Sequence, residues 1–197
     1  MPLVLASASP RRVELLRAAG LTFDTLAVEV DEGVRPGEAA QDYVRRLARE
    51  KAARAQELAE GPAEAGHDRR LFVGADTAVV IDGEILGKPA GDDDAARILR
   101  RLSGRRHEVL TGVSVRKGAV QLDRVETTAV YFNVLSDAEI AWYIASGEGR
   151  DKAGSYAIQG LASRFIPRIE GSYANVVGLP VESVIEMLRA LEESAIL

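Results

Sequence analysis

The sequence predicts an α/β fold in which a mixed, twisted β-sheet is flanked by helices. Three observations predict it. Short apolar runs alternate along the chain with segments of helical periodicity, the pattern of strands interleaved with helices. Asp82-Gly83 between two β-like runs signals a tight hairpin, which argues against a purely parallel sheet. The 197 residues, 47% hydrophobic and 28% charged, suffice for one globular domain with a substantial core.

Leu3 to Ala6 reads as a buried strand. Ser7-Ala8-Ser9-Pro10 follows, with Ser9 placed to cap a helix and Pro10 suited to its first turn. Val13, Leu15, Leu16 and Ala19 form that helix's apolar stripe, which stops at Gly20. Residues 22–30 read as a second strand leading into the acidic turn Asp31-Glu32-Gly33. Residues 38–60 form a long helix, and residues 61–70 a solvated loop. Residues 71–73 and 78–81 are two strands, and residues 84–86 return from the hairpin turn. Asp92 to Asp94 open a helix that runs to Leu102 and closes at Ser103-Gly104. Two β segments, 108–115 and 119–132, flank Lys117-Gly118. Ser136-Asp137-Ala138-Glu139 is a capping box heading a helix that stops at Gly147. Residues 149–160 form a loop, residues 165–169 and 173–177 strands, and Pro180 begins a terminal helix facing inward through Val184, Ile185, Leu188 and Leu191.

Composition removes several function classes. There are no cysteines, which excludes disulfides, thiolate metal sites and cysteine nucleophiles. With only His67 and His107, a histidine-rich zinc site or a His-based triad is disfavoured. Carboxylates, Lys, Arg and hydroxyls remain, a set suited to phosphate esters and a hard divalent cation. The formal charge of -5 gives no overall positive field for nucleic acid or an anionic membrane, so neither is expected as a partner. The opening apolar run is too short for a signal segment and no run approaches a membrane span, so a cytoplasmic location is expected.

Several segments concentrate candidate chemistry. Ser7-Ala8-Ser9-Pro10-Arg11-Arg12 joins a strand to a helix; it is either an anion site built from helix-start N–H groups and guanidinium forks, or a capped helix with a solvated Arg pair. Lys51 falls on the apolar side of its helix, among Val44, Leu47, Ala48 and Ala55, and either snorkels outward or enters a polar cleft. Asp76 is the sharpest signal, because apolar strand residues bracket Gly74-Ala75-Asp76-Thr77. A carboxylate held there either caps a turn or serves as an acid-base group or metal ligand whose partner offsets its burial. Gly87-Lys88-Pro89 places a second amine on a constrained loop, and Gln159 in a Gly-rich loop carries the donors and acceptors that read a base edge. Asp92-Asp93-Asp94 suits the helix dipole, His107 lacks a second histidine nearby, and Arg100, Arg101, Arg105 and Arg106 form a solvated basic face.

Taken together, SASPRR, RLAREKA, VGADTAVVIDGEILGKP, ARILRRLSGRRHEVLTGVSV, DKAGSYAIQG and GSYANVVGLP resemble the Maf family of nucleotide pyrophosphatases in order and spacing. The resemblance runs from about Leu3 into the terminal helix. It implies a Maf/ITPase-like fold with two lobes around a central cleft, residues 1–197 forming a single domain of that kind. It also implies hydrolysis of a nucleoside triphosphate to the monophosphate and pyrophosphate. By position, Asp76 matches the proposed proton acceptor, and Arg11, Thr77 and Gln159 match positions associated with substrate choice. Ser7, Arg12, Glu32, Lys51 and Lys88 match polar positions lining the cleft. Arg-Arg after SASP, Thr after GAD and Gln in IQG are similar to the dTTP/UTP branch, which also accepts some modified pyrimidine nucleotides; the branch preferring 7-methyl-GTP differs there.

The expected mechanism has a divalent ion, Mg²⁺ or Mn²⁺, held by Asp76 and Glu32, with Asp76 activating water toward the α-phosphorus. Arg11, Arg12, Lys51 and Lys88 would offset phosphate charge, and the resemblance implies a homodimer. Rival expectations are a pyrophosphatase for deaminated purine nucleotides and a nucleotide-responsive regulator of cell division that binds without turnover.

Overall fold

A computed structural model describes residues 2–60 and 70–193. The expected loop over residues 61–70 therefore lies, apart from Arg70, outside the described residues. In chain order the elements are β1 (Leu3–Ala6), α1 (Pro10–Ala18), β2 (Asp24–Thr25), α2 (Ala40–Glu60), β3 (Leu71–Ile81), β4 (Glu84–Leu86), α3 (Asp92–Leu102), β5 (Arg106–Lys117), β6 (Val120–Tyr131), α4 (Asp137–Ala145), β7 (Arg168–Glu170), α5 (Tyr173–Val177) and α6 (Val181–Glu193). Two short 3₁₀ helices, Ala153–Ser155 and Leu161–Phe165, lie between α4 and β7.

The seven-stranded sheet has the order β2-β1-β3-β5-β6-β7, with β4 on β3. It is mixed, as expected: β1 pairs in parallel with β2 and β3, whereas β3–β4 and β6–β7 are antiparallel. The chain divides into two compact units, one comprising Met1–Asp76, Thr111–Glu126 and Gly178–Leu197, the other Thr77–Leu110 and Thr127–Val177.

In the first unit, alternation along the strands sends neighbouring side chains to opposite faces. Leu3, Leu5, Leu71 and Val73 pack with Leu16 of α1 and with Val184, Met187, Leu188 and Leu191 of α6. Val4, Ala6 and Phe72 pack instead with Ala55 of α2. The close fit of α2 depends on two glycines. A Cβ on Gly74 would lie 2.1 Å from the Ala48 carbonyl, and one on Gly112 would lie 2.2 Å from that of Val44. Both contacts are with helix backbone, which has no rotamer by which to yield.

In the second unit, Asp82 and Gly83 both have positive φ, 54° and 78°, the requirement of the tight turn joining β3 to β4. The apolar face of α3 buries Ile98, Leu99 and Leu102. The capping box of α4 is present in full, with Glu139 N donating to Ser136 Oγ and Ser136 N donating to Glu139 Oε2.

Four expectations are corrected. Residues 71–81 are one strand, since Gly74 marks the close approach of α2 and leaves the strand unbroken. Only Asp24 and Thr25 of residues 22–30 pair as strand, because β1 ends at Ala6 and offers no further partner backbone. Residues 173–177 are helical: Ser172 accepts from Asn175 N, and the buried Asn175 side chain donates to Val109 O and Thr128 Oγ1. Of the expected strand at 165–169 only Arg168 and Ile169 pair, and the observed strand runs one residue further, Arg168–Glu170 against β6.

Candidate active site

In open α/β sheets, ligands bind beyond the carboxyl ends of parallel strands. The register Ala6↔Gly74 brings β1 to its end where β3 reaches Ala75 and Asp76, and the chain turns at Ser7 toward α1. Ser9 makes no side-chain cap bond to that helix; instead Ser9 N donates to Ser7 Oγ at 3.1 Å, which corrects the expected cap and ties the loop internally.

Arg12 is buried on the first turn of α1. Its Nε donates to Gly178 O at 2.8 Å, and its Nη1 to Ala75 O at 2.8 Å and Ser7 Oγ at 3.4 Å. One guanidinium thus joins three separate segments next to Asp76. Burial lowers its pKa from the ordinary value, the Asp76 charge opposes that shift, and neighbouring Arg11 reinforces it.

Lys51 resolves its two readings in favour of the polar site. Its ammonium lies 2.6 Å from Asp76 Oδ1 and 2.7 Å from Glu32 Oε1. The Lys51 and Asp76 side chains are 10% and 12% exposed, whereas Glu32 is 51% exposed, so the first contact is a buried ion pair and the second is open to water. Gly74 places α2 where Lys51, one residue before Ala52, reaches Asp76, two residues along β3.

The acidic turn carrying Glu32 is held onto α2 by residues that the sequence reading missed. Tyr43 donates its hydroxyl to Glu32 O, and Arg46 donates to Asp31 O and Gly33 O. Arg46 also forms a forked pair with Glu38 at 2.6 and 2.8 Å, and this guanidinium is the main cause holding the Glu38 carboxyl down at about 2. Burial, followed by the Asp76 and Glu32 charges, pushes Tyr43 up to about 12, so its phenol remains a donor. The available signal was Tyr43 and Arg46 standing one helical step apart.

In the second unit, Thr77 is half-buried in β3, directly after Asp76 in the chain. Lys88 is exposed on the loop after β4, and Gly87 O there accepts from Gly154 N at 3.1 Å. Gln159 is exposed in a turn. His107 is buried against the rings of Phe132 and Tyr156, the three in mutual edge contact, with Nε2 2.9 Å from the Tyr156 hydroxyl. Burial first, then Arg106, holds its pKa down at about 4, the condition of a neutral core histidine. The four arginines of the expected basic face each pair with a carboxylate: Arg100 with Asp137, Arg101 with Glu84, Arg105 with Asp82, and Arg106 with Glu108. The three aspartates at Asp92 occupy the first turn of α3, as the dipole reading expects.

A family model described as "Maf-like protein" matches residues 2–191. The chain belongs to this family. Among Maf-like relatives it is 52% identical to a dTTP/UTP pyrophosphatase of Anaeromyxobacter sp. (strain Fw109-5), over 95% of this chain and 88% of that one. It is 50% identical to a dTTP/UTP pyrophosphatase of Geobacter metallireducens, over 96% of this chain and 95% of that one. The solved Ham1 protein of Staphylococcus aureus overlaps 67% of this chain and 72% of its own at 14% identity, and its TM-score of 0.42 is too low to bear on the fold.

Of the residues singled out in the sequence, Ser7, Arg12, Glu32, Lys51 and Asp76 meet within the first unit through the contacts above, and Arg11 lies beside Arg12 there. Thr77, Lys88 and Gln159 belong to the second. Among the described residues, no group of three or more His, Cys, Asp or Glu side chains is placed to hold a metal ion. Two carboxylates nevertheless converge on one ammonium, and a hard cation such as Mg²⁺ commonly takes one or two protein carboxylates, with waters and substrate phosphates completing its shell. The donor set therefore fits a cation that binds together with a polyphosphate. No helix among the described residues is long and apolar enough to cross a membrane.

Proposed function

We propose that this Maf-like protein hydrolyses dTTP and UTP, and modified pyrimidine nucleotides of similar shape, to the nucleoside monophosphate and pyrophosphate in a house-cleaning role. The observation that carries the reading is the buried Asp76–Lys51 pair, set beside the Ser7 loop where β1 ends and β3 runs on past it. The names of the relatives support the choice of nucleotide.

In the reaction, a water oxygen attacks the α-phosphorus while the bond from that phosphorus to the α–β bridging oxygen breaks. The Asp76 carboxylate takes the water's proton, and pyrophosphate leaves with the bridging oxygen. Lys51 holds Asp76 at Oδ1 and keeps the carboxylate oriented. Mg²⁺ or Mn²⁺, held by Asp76 and Glu32, would supply positive charge to the phosphate oxygens. Ser7, Arg11 and Lys88 contact phosphate. Arg12, whose donors serve Gly178, Ala75 and Ser7, adds charge and fixes the loop. Arg11, Thr77 and Gln159 select the base, since a site built on hydrogen bonds to one base leaves groups unpaired against another. Residues 1–197 act as one domain, and the family match through both units supports that. The protein works in the cytoplasm as a homodimer, without a nucleic-acid or membrane partner.

Asp76→Asn keeps the side chain's size and removes its basicity. It should lower pyrophosphate release from dTTP by about 10²–10⁴-fold, the range for general acid–base groups. Near-normal turnover by a folded variant would remove Asp76 from this role.

A further inference from the structure

The Gln159 turn is gripped on both sides by two residues that the mechanism does not use. Tyr143, on the inner face of α4, is 1% exposed. Its hydroxyl donates to Glu148 Oε2 at 2.8 Å and accepts from Ala157 N at 3.2 Å, two residues before Gln159. Glu148 Oε1 accepts from Leu161 N at 2.8 Å and Oε2 from Ala162 N at 3.4 Å, two and three residues after it. A Cβ on Gly160 would lie 1.9 Å from Glu148 Oε1, so only glycine lets the carboxylate come this close. Glu148 is itself fixed, its N–H donating to Ser146 Oγ and its carbonyl accepting from Lys152 Nζ at 2.6 Å.

A primary amide offers a donor on one side and an acceptor on the other, and it serves a uracil or a cytosine edge by turning over. Selectivity by Gln159 therefore depends on the backbone that presents it. We propose that Tyr143 and Glu148 are positioning residues that fix the Ile158-Gln159-Gly160 turn and thereby set discrimination between uracil-type and cytosine bases. The proposal rests on the reading of Gln159 as a base-selecting residue.

The test measures kcat and KM for dTTP and CTP in wild type, Tyr143→Phe, Glu148→Gln, Gln159→Ala, and the two double variants with Gln159→Ala. Tyr143→Phe removes only a hydroxyl and keeps the ring packed against Phe165. Glu148→Gln turns one accepting oxygen into a donor that faces backbone N–H groups. Each should lower the dTTP:CTP ratio of kcat/KM by about tenfold, mainly through the KM for dTTP, the scale of one buried hydrogen bond. Neither should lower it further once Gln159 is Ala, because residues acting through one group are not additive. An equal fall for both nucleotides, or full additivity, would overturn the proposal and leave a merely structural pair. If Gln159→Ala alone leaves the ratio unchanged, the base-selecting assignment fails, and selectivity set through Gln159 fails with it. The grip is read separately from amide hydrogen exchange at Leu161 and Ala162. Faster exchange in Glu148→Gln supports it, and unchanged exchange refutes it.

Discussion

Replacing Lys51 with Met keeps most of the apolar stem and deletes the charge that faces Asp76. Removing one partner of a buried ion pair destabilises a protein by about 3–5 kcal/mol, because the other charge stays buried and uncompensated. Two features reduce that figure here. The Asp76 side chain keeps 12% exposure, and the buried Arg12 guanidinium interacts with its charge. Glu32, at 51% exposure, adds little, since solvated pairs are worth about 0–1 kcal/mol. The expected loss is therefore about 2–3 kcal/mol at neutral pH, read from urea unfolding followed by far-UV circular dichroism with divalent ions chelated. The double variant Lys51→Met/Asp76→Asn removes both charges and should recover about 2 kcal/mol of the sum of the two single losses. A single variant within about 0.5 kcal/mol of wild type, or a double variant equal to that sum, would refute the buried-pair account.

Gly74→Ala forces a Cβ to 2.1 Å from Ala48 O and 2.6 Å from Ala52 N, so α2 must move at the residues flanking Lys51. We expect a loss of about 1–3 kcal/mol in urea unfolding together with reduced pyrophosphate release; full activity at wild-type stability would contradict the close fit. His107 gives a pH dependence of definite sign. Its folded pKa of about 4 lies below the ordinary 6.5, so the unfolded chain binds the extra proton between those values, and stability is lost as pH falls through that window. The loss should approach ~1.4 kcal/mol per pH unit, about 3 kcal/mol in all. Glu38, held at about 2, contributes stability above its ordinary 4.5 that is lost only below that value, so its window lies lower. His107→Phe should flatten the slope between pH 6.5 and 4, and an unchanged slope would remove His107 as its source.

Much of the fold was legible because local chemistry and tertiary packing agree. The Ser136 box, the Asp82-Gly83 turn, the acidic start of α3 and the apolar stripes of α2 and α6 each have a short-range cause. The misread elements are those decided at long range. Gly74 looks like a strand break until α2 is seen lying on it, and the Val-rich 173–177 segment looks like a strand until Asn175 is seen bonded to Val109 and Thr128. The site divides in the same way. Asp76 and Lys51 are visible in sequence because each is a charge among apolar neighbours, and the structure pairs them with each other. Arg12 was legible as basic, but its bonds to Gly178, 166 residues away, and to Ala75 leave no local trace. The Tyr143–Glu148 grip is invisible for the same reason, because a tyrosine and a glutamate near a helix end have no spacing that distinguishes them from ordinary surface residues.

The most direct test of the central claim is pyrophosphate release from dTTP, UTP, CTP, 5-methyl-UTP, GTP, ITP and 7-methyl-GTP, with and without Mg²⁺. The account predicts metal-dependent turnover led by dTTP and UTP, lowered by about 10²–10⁴-fold in Asp76→Asn. Preference for ITP or another purine nucleotide would contradict the base assignment while keeping the chemistry. Binding without release of pyrophosphate from any nucleotide would contradict the enzyme itself and favour a regulator.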